Sequence, residues 1–179
     1  MNLQSKLEDE LVIIEPLDEN DYEALYEVAK DPLIWEQHPC SDRYKKEVFT
    51  KFFSESIDSK GAFKIIEKST GELIGSSRFK VIGDSENAIE IGWTFLSRDK
   101  WGGKYNKAVK KLMIDFALQH VDHVIFYVGI ENVRSQKALK KLGGIVIDNT
   151  NYPRFAKDIE SDLTFRIGKE NWDIKVASH

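Results

Sequence analysis

Apolar positions from Leu11 to Leu17 (LVIIEPL) form a short run that predicts a strand ended by Pro16. Asp18 follows as a helix cap with Asp21 at the third helical position, and Tyr22, Leu25, Tyr26 and Ala29 then fall on one helical face. DPLIWEQHPC breaks the period and predicts an irregular or short helical segment. Phe49, Phe52, Phe53 and Ile57 recur at helical spacing and predict a second helix over Arg43–Asp58. AFKIIEK and LIGSSRFKVI read as a hairpin around the turn STGE. In NAIEIGWTFL, Ile89, Ile91, Trp93 and Phe95 alternate onto one face of a strand, with Glu90 and Thr94 on the other. After Gly103, Tyr105, Ala108, Val109, Leu112 and Phe116 mark another helix, and VIFYV (124–128) is the continuous apolar run of a buried parallel strand. A helix from Asn132 to LGG and strands near 145–147 and 163–167 complete the pattern. Strand, helix, strand in the middle of the chain is a β-α-β unit, and the whole predicts one α/β domain over residues 1–179 built on a mixed sheet.

Composition narrows the function classes. A hydrophobic fraction of 41% indicates a folded domain, and a net charge of −4 speaks against nucleic acid and for a cationic substrate. Cys40 is the lone cysteine, so no internal disulfide forms and a cytoplasmic location is expected. The start of the chain lacks the pattern of a signal peptide, and no stretch approaches the ~20 apolar residues of a membrane span, so no membrane partner is expected. His38 and Cys40 form no ligand set, and no metal is expected. His120 and His123 flank a helix end, where they complement the dipole.

RDKWGGKYNKAVKKLM (98–113) places Gly102 and Gly103 in the first turn of a helix that follows a strand. Unpaired amides there, with no Cβ in the way, suit a phosphate. The Walker spacing fails, because Arg98 stands where its first glycine belongs and Tyr105 follows Lys104, and GxGxxG is absent. A ligand-free tight turn explains the glycines equally well at this level. Farther on, Asn132 can cap a helix on which Ser135 shares an inward face with Ala138, Leu139 and Leu142. That hydroxyl either serves chemistry or bonds back to the preceding turn.

Three segments together, EIGW (90–93), KWGGKYNKAV (100–109) and NVRSQKALKKLGG (132–144), resemble the GNAT superfamily of acyl-CoA-dependent N-acetyltransferases. They are most similar to the branch of ribosomal-protein N-terminal acetyltransferases, whose patterns read EIGY, YWGKGYATEA and NxxSxxxLEKLGF. The resemblance implies a mostly antiparallel central sheet with one parallel β-α-β unit and helices on both faces. It implies that Trp101, Gly102, Gly103, Lys104, Tyr105 and Asn106 hold the CoA pyrophosphate. It further implies that the strand ending at Leu96 splays from the one ending at Val128, that pantetheine pairs with backbone at Phe95 and Leu96, that Asn132 touches it, and that Ser135 lies near the thioester sulfur. Two departures stand out: Lys104 replaces the second glycine of GxG while Gly103 has moved forward, and Leu139 occupies the position of the family's tyrosine acid.

The expected activity is therefore acetyl transfer from acetyl-CoA, as co-substrate, to a primary amine by direct attack, the acceptor being a protein N-terminus or small amine. Glu90 and Ser135 are the candidate catalytic residues. For Glu90 the plainer alternative is a solvent-facing edge position; for Trp35, Phe49, Phe52 and Phe53 it is a packed helix pair rather than an acceptor pocket. Lys107, Lys110 and Lys111 read as a solvated face with a role at the CoA 3′-phosphate as the alternative. The rival functions are a non-catalytic acyl-CoA-binding domain and an interaction protein that has lost the ligand. A homodimer is one of the assemblies left open.

Overall fold

The computed structural model describes residues 3–82, 87–148 and 162–172. Its strands are β1 (Leu7–Glu8), β2 (Val12–Pro16), β3 (Ala62–Glu67), β4 (Leu73–Ile82), β5 (Ala88–Leu96), β6 (His123–Gly129), β7 (Ile145–Val146) and β8 (Asp162–Gly168). Its longer helices are α1 (Tyr22–Ala29), α2 (Lys46–Asp58), α3 (Lys104–Leu118) and α4 (Val133–Lys141). The eight strands form one sheet in the order β1-β2-β3-β4-β5-β6-β8-β7. β5 and β6 are parallel and α3 connects them, whereas the other pairings described are antiparallel. This is the mixed sheet with one β-α-β unit that the sequence predicts. No described helix is long and apolar enough to cross a membrane.

The chain packs as two compact units, Met1–Phe79 with Trp93–Met113, and Lys80–Gly92 with Ile114–His179. In the first, Asp18 and Asp21 form the expected capping box: Asp18 Oδ1 accepts from Asn20 N–H at 2.8 Å and Asp21 Oδ2 from Asp18 N–H at 2.9 Å. It caps a single 3-10 turn that leads into α1. Leu25 and Ala29 of α1, Trp35, and Phe49, Phe52 and Phe53 of α2 bury themselves in one cluster with Phe95 of β5. The aromatic run is therefore the packed helix pair, each fully buried ring contributing roughly 2–3 kcal/mol. Trp35 adds an indole bond to the Ala29 carbonyl at 2.8 Å. α2 begins at Lys46 rather than Arg43, because Lys45 is extended (φ −73°, ψ 134°) and the residues before it form turns. Phe95 faces this cluster while its neighbour Thr94 bonds Lys110 of α3, so helices cover both faces of the sheet in this unit.

In the second unit, β6 pairs with β8 over His123–Gly129. Its ladder with β5 covers only Ala88–Glu90 against His123–Ile125. Ile89, Val124, Ile125, Phe126, Phe165 and Ile167 are all buried. Asn132 caps α4 through Ser135 N–H at 3.3 Å. Past the last turn, Gly143 takes a φ of +89°, and Gly144 N–H returns to the Leu139 carbonyl at 2.9 Å, closing the helix.

Candidate active site

The glycine loop is built as an open cradle. Gly102 and Gly103 adopt φ values of +103° and +123°, a region costly for any residue with a Cβ, and a Cβ on either would meet nothing within 4 Å. They stand just before α3 rather than in its first turn. The first backbone bond at that end is Lys107 N–H to the Gly103 carbonyl, at 2.9 Å. The amides from Gly102 to Asn106 find no acceptor among the described residues. A row of outward amides at the positive end of a fifteen-residue helix fits a phosphate.

One residue that the sequence reading missed organises this loop. Glu67, at the end of β3, is 5% exposed. Its carboxylate accepts from the Tyr105 hydroxyl, from Lys100 Nζ at 3.0 and 3.1 Å, and from Thr70 Oγ1 at 2.9 Å. Lys100 and Tyr105 flank the glycine pair, so a single carboxylate ties both ends of the loop to the sheet. The Tyr105 hydroxyl bond, then Lys100 and Thr70, hold the Glu67 pKa down at about 2. In return the carboxylate raises the pKa of both Tyr105 and Lys100. Trp101 is tied separately, its indole N–H donating to the Leu96 carbonyl at 3.0 Å.

β5 changes course before it reaches the loop. Trp93 has a φ of +54°, in the left-handed region where a bulky side chain costs ~1–3 kcal/mol. The regular alternation expected through Trp93 is thus interrupted by a kink, although Trp93 and Phe95 still pack on the same cluster. The Phe95 carbonyl points at β4, where a Cβ on Gly75 would come within 2.1 Å of its oxygen. The Leu96 backbone faces the other way. Lys110, expected on a solvated face, is instead 8% exposed, with Nζ donating to Thr94 Oγ1 at 2.7 Å. Thr94 in turn shares a 2.7 Å bond with Ser77. Burial pushes the Lys110 pKa down to about 7. Lys107 and Lys111 are exposed, so the solvated-face reading holds for those two alone.

In the second unit Glu90 is 5% exposed on an interior strand, which overturns the solvent-facing edge reading. Its carboxylate leans along β5 over Gly92, where a Cβ would lie 3.3 Å from Oε1. Register puts Glu90 opposite Ile125, so Tyr127, two residues on, shares its face. Burial, with the Glu90 charge second, pushes the Tyr127 hydroxyl up to about 12. Tyr127 is a second residue the sequence reading missed, hidden because it read as part of a uniform apolar run. Asn132 is buried at 9% and Ser135 half-buried, with the Asn132 side chain on the Ser135 amide. The Ser135 hydroxyl makes no bond back to the preceding turn among the described residues, so that structural role does not account for it. No cluster of three or more metal-ligating side chains occurs among the described residues. His38 Nδ1 accepts from the Cys40 amide at 2.9 Å.

Comparison with known proteins matches residues 12–145 to the acetyltransferase (GNAT) domain family. Among solved structures, a probable acetyltransferase (GNAT family) from Chromobacterium violaceum superposes with a TM-score of 0.79 at 17% identity, covering 95% of this chain and 89% of that one. A putative acetyltransferase from T. thermophilus gives 0.75 at 22% identity, with coverages of 97% and 94%. Mycobacterium smegmatis RimJ in complex with CoA-disulfide gives 0.68 at 17% identity, with coverages of 97% and 93%. A search of curated protein sequences returned no match.

Proposed function

Since the chain belongs to the GNAT acetyltransferases and is an acyl-CoA-dependent N-acyltransferase, we propose that it moves an acetyl group from acetyl-CoA to a primary amine by direct attack. The acceptor is a protein N-terminus or a small amine. The observation that carries the CoA assignment is the row of amides from Gly102 to Asn106 without acceptors among the described residues, set at an open glycine pair. In this reading Trp101 to Asn106 hold the pyrophosphate. Of the expected pair Phe95 and Leu96, the Phe95 carbonyl is turned to β4 and the Leu96 carbonyl is taken by Trp101, so the Leu96 N–H is what pantetheine meets, and Asn132 and Ser135 stand along its arm. The capture of CoA-disulfide by M. smegmatis RimJ supports that ligand class.

Three tasks remain for the protein's own groups. Glu90 takes the proton of the attacking ammonium, directly or through water, or holds the cation. An N–H near the kink of β5 receives the developing oxyanion. Ser135 gives a hydrogen bond or proton to the departing thiolate, the tyrosine of the family pattern being Leu139 here. Tyr127 keeps its proton throughout the working pH range and is a further donor on the Glu90 face. An α-amine, with a pKa of ~8 against ~10.4 for lysine, is the easier acceptor at neutral pH.

The test is a thermal-shift titration with CoA and acetyl-CoA, followed by thiol release against a panel of amines. Ligand at 100 times its dissociation constant is expected to add ~2.7 kcal/mol of stability. No shift at millimolar ligand overturns the reading, and binding without turnover on any amine leaves an acyl-CoA-binding domain.

A further inference from the structure

Arg43 lies in the turns before α2 with 9% of its surface exposed. Its guanidinium stacks on two rings, 4.4 Å from the Phe52 centroid and 5.2 Å from that of Trp35. Stacking offsets part of the lost hydration but satisfies none of the five N–H donors. Nε is buried without an acceptor among the described residues. The guanidinium shares a side-chain hydrogen bond with Cys40, and Glu55 and Asp42 act on its charge from nearby, yet among the described residues no carboxylate comes within ion-pair distance. Proteins ordinarily pair a charge held this deep, because an uncompensated one is costly.

A second guanidinium converges on the same ring. Arg78, 7% exposed, stands 5.6 Å from the Phe52 centroid and 4.5 Å from that of Trp93, and Nη2 donates to Ser56 Oγ. Trp93 is the left-handed residue of β5. Positive charge is therefore concentrated beside the kink, between apolar walls, in a chain whose net charge is −4. A guanidinium fork matches a carboxylate in shape as well as charge. Building on the acyltransfer reading, we infer that the acceptor amine carries a carboxylate and that Arg43, with Arg78 beside it, receives that group. The partly exposed ring of Trp93 lies against the acceptor's apolar body, while Trp35 and Phe52 stay in the core and back the guanidinium.

The full chain is titrated calorimetrically at neutral pH with N-acetyl-phenylalanine and with N-acetyl-phenylalaninamide, product-like probes that differ in the carboxylate. The acid is expected to bind about tenfold tighter than the amide or better. Arg43→Gln is expected to abolish that preference, and Arg43→Lys to keep part of it. The inference is overturned if the amide binds as tightly as the acid, if the acid shows no binding up to its solubility, or if Arg43→Gln still discriminates. Should Arg43→Gln lose its cooperative melt, the wild-type ratio and Arg43→Lys decide. Acetyl-CoA is titrated in parallel and its affinity is expected to be the same in every folded variant. A protein that prefers the acid but ignores acetyl-CoA keeps the anion site and loses the acyltransfer reading. One that binds acetyl-CoA and ignores the acid does the reverse.

Discussion

Lys110 shows how one residue can resist its own helix pattern. Met113, Ile114 and Ala117 are completely buried on α3, and Lys110 precedes them by three, four and seven positions. The apolar spacing sets the inward face at Tyr105, Ala108, Val109, Leu112 and Phe116, but the buried face is rotated to run through Lys110, Met113, Ile114 and Ala117, which carries the lysine inward. Its folded pKa of about 7 lies below the ordinary 10.5 of an unfolded lysine. The unfolded chain thus holds more protons between those values, so stability contributed at this site rises with pH from about 7 toward 10.5. Lys110→Met is expected to raise stability at neutral pH by on the order of 1–3 kcal/mol and to flatten that rise. Urea unfolding at several pH values checks it; a less stable variant would mean that the Thr94 bond outweighs the cost of burial. Glu67 is the opposite case. Its depressed pKa contributes stability in full above about 4.5, and the contribution is lost as pH falls toward 2. Glu67→Gln is expected to weaken CoA binding roughly 2- to 10-fold at neutral pH and to remove that acid-range dependence. CoA affinity equal to that of the parent would show that the loop keeps its shape without the carboxylate. Nothing local in AFKIIEK marked Glu67, because its partners Lys100 and Tyr105 lie 33 and 38 residues away.

At the scale of elements, hydrophobic period located β2, β5, β6 and α1 to within a residue or two, since each buries one face or both. The kink in β5 stayed hidden because a left-handed tryptophan is a conformation that no propensity favours, and long-range packing imposes it. Gly92 beside it has a reason of its own: the Glu90 carboxylate occupies the space over it. Gly92→Ala is expected to push that carboxylate aside by a few tenths of an ångström and to lower turnover more than acetyl-CoA affinity. Glu90→Gln should share this signature, and a loss confined to acetyl-CoA affinity in both would exclude Glu90 from the acid–base step. The glycine pair was legible as a cradle, but the positive φ of both residues shows that conformation, as well as access, demands glycine there. Gly103→Ala is expected to cost ~1–3 kcal/mol of local strain or to reshape the loop, and in either case to weaken CoA binding. Unaltered affinity by calorimetry would place the phosphate elsewhere.

Over the whole molecule, the β-α-β unit followed from the succession of elements, whereas the insertion of β8 between β6 and β7 and the division into two compact units did not. Three elements, β4, β5 and α3, run unbroken from one unit into the other. Continuous strands and helices rarely melt halfway, so a single cooperative transition is expected on heating, with circular dichroism and fluorescence coincident. The placement of the tryptophans makes this an optical question. Trp35, Trp93 and Trp101 belong to the first unit, and Trp172, whose indole donates to Asp115 at 2.7 Å, to the second. Emission from Trp172→Phe therefore reports the first unit only, and separate midpoints for it and the parent would reveal stepwise melting. Within the first unit the indoles stand in unlike surroundings. Trp35 is sealed in the core, Trp93 lies under a guanidinium, and Trp101 sits in the glycine loop itself. The protein thus carries its own dyes: quenching by CoA should vanish in Trp101→Phe, and a spectral shift caused by the acceptor should vanish in Trp93→Phe.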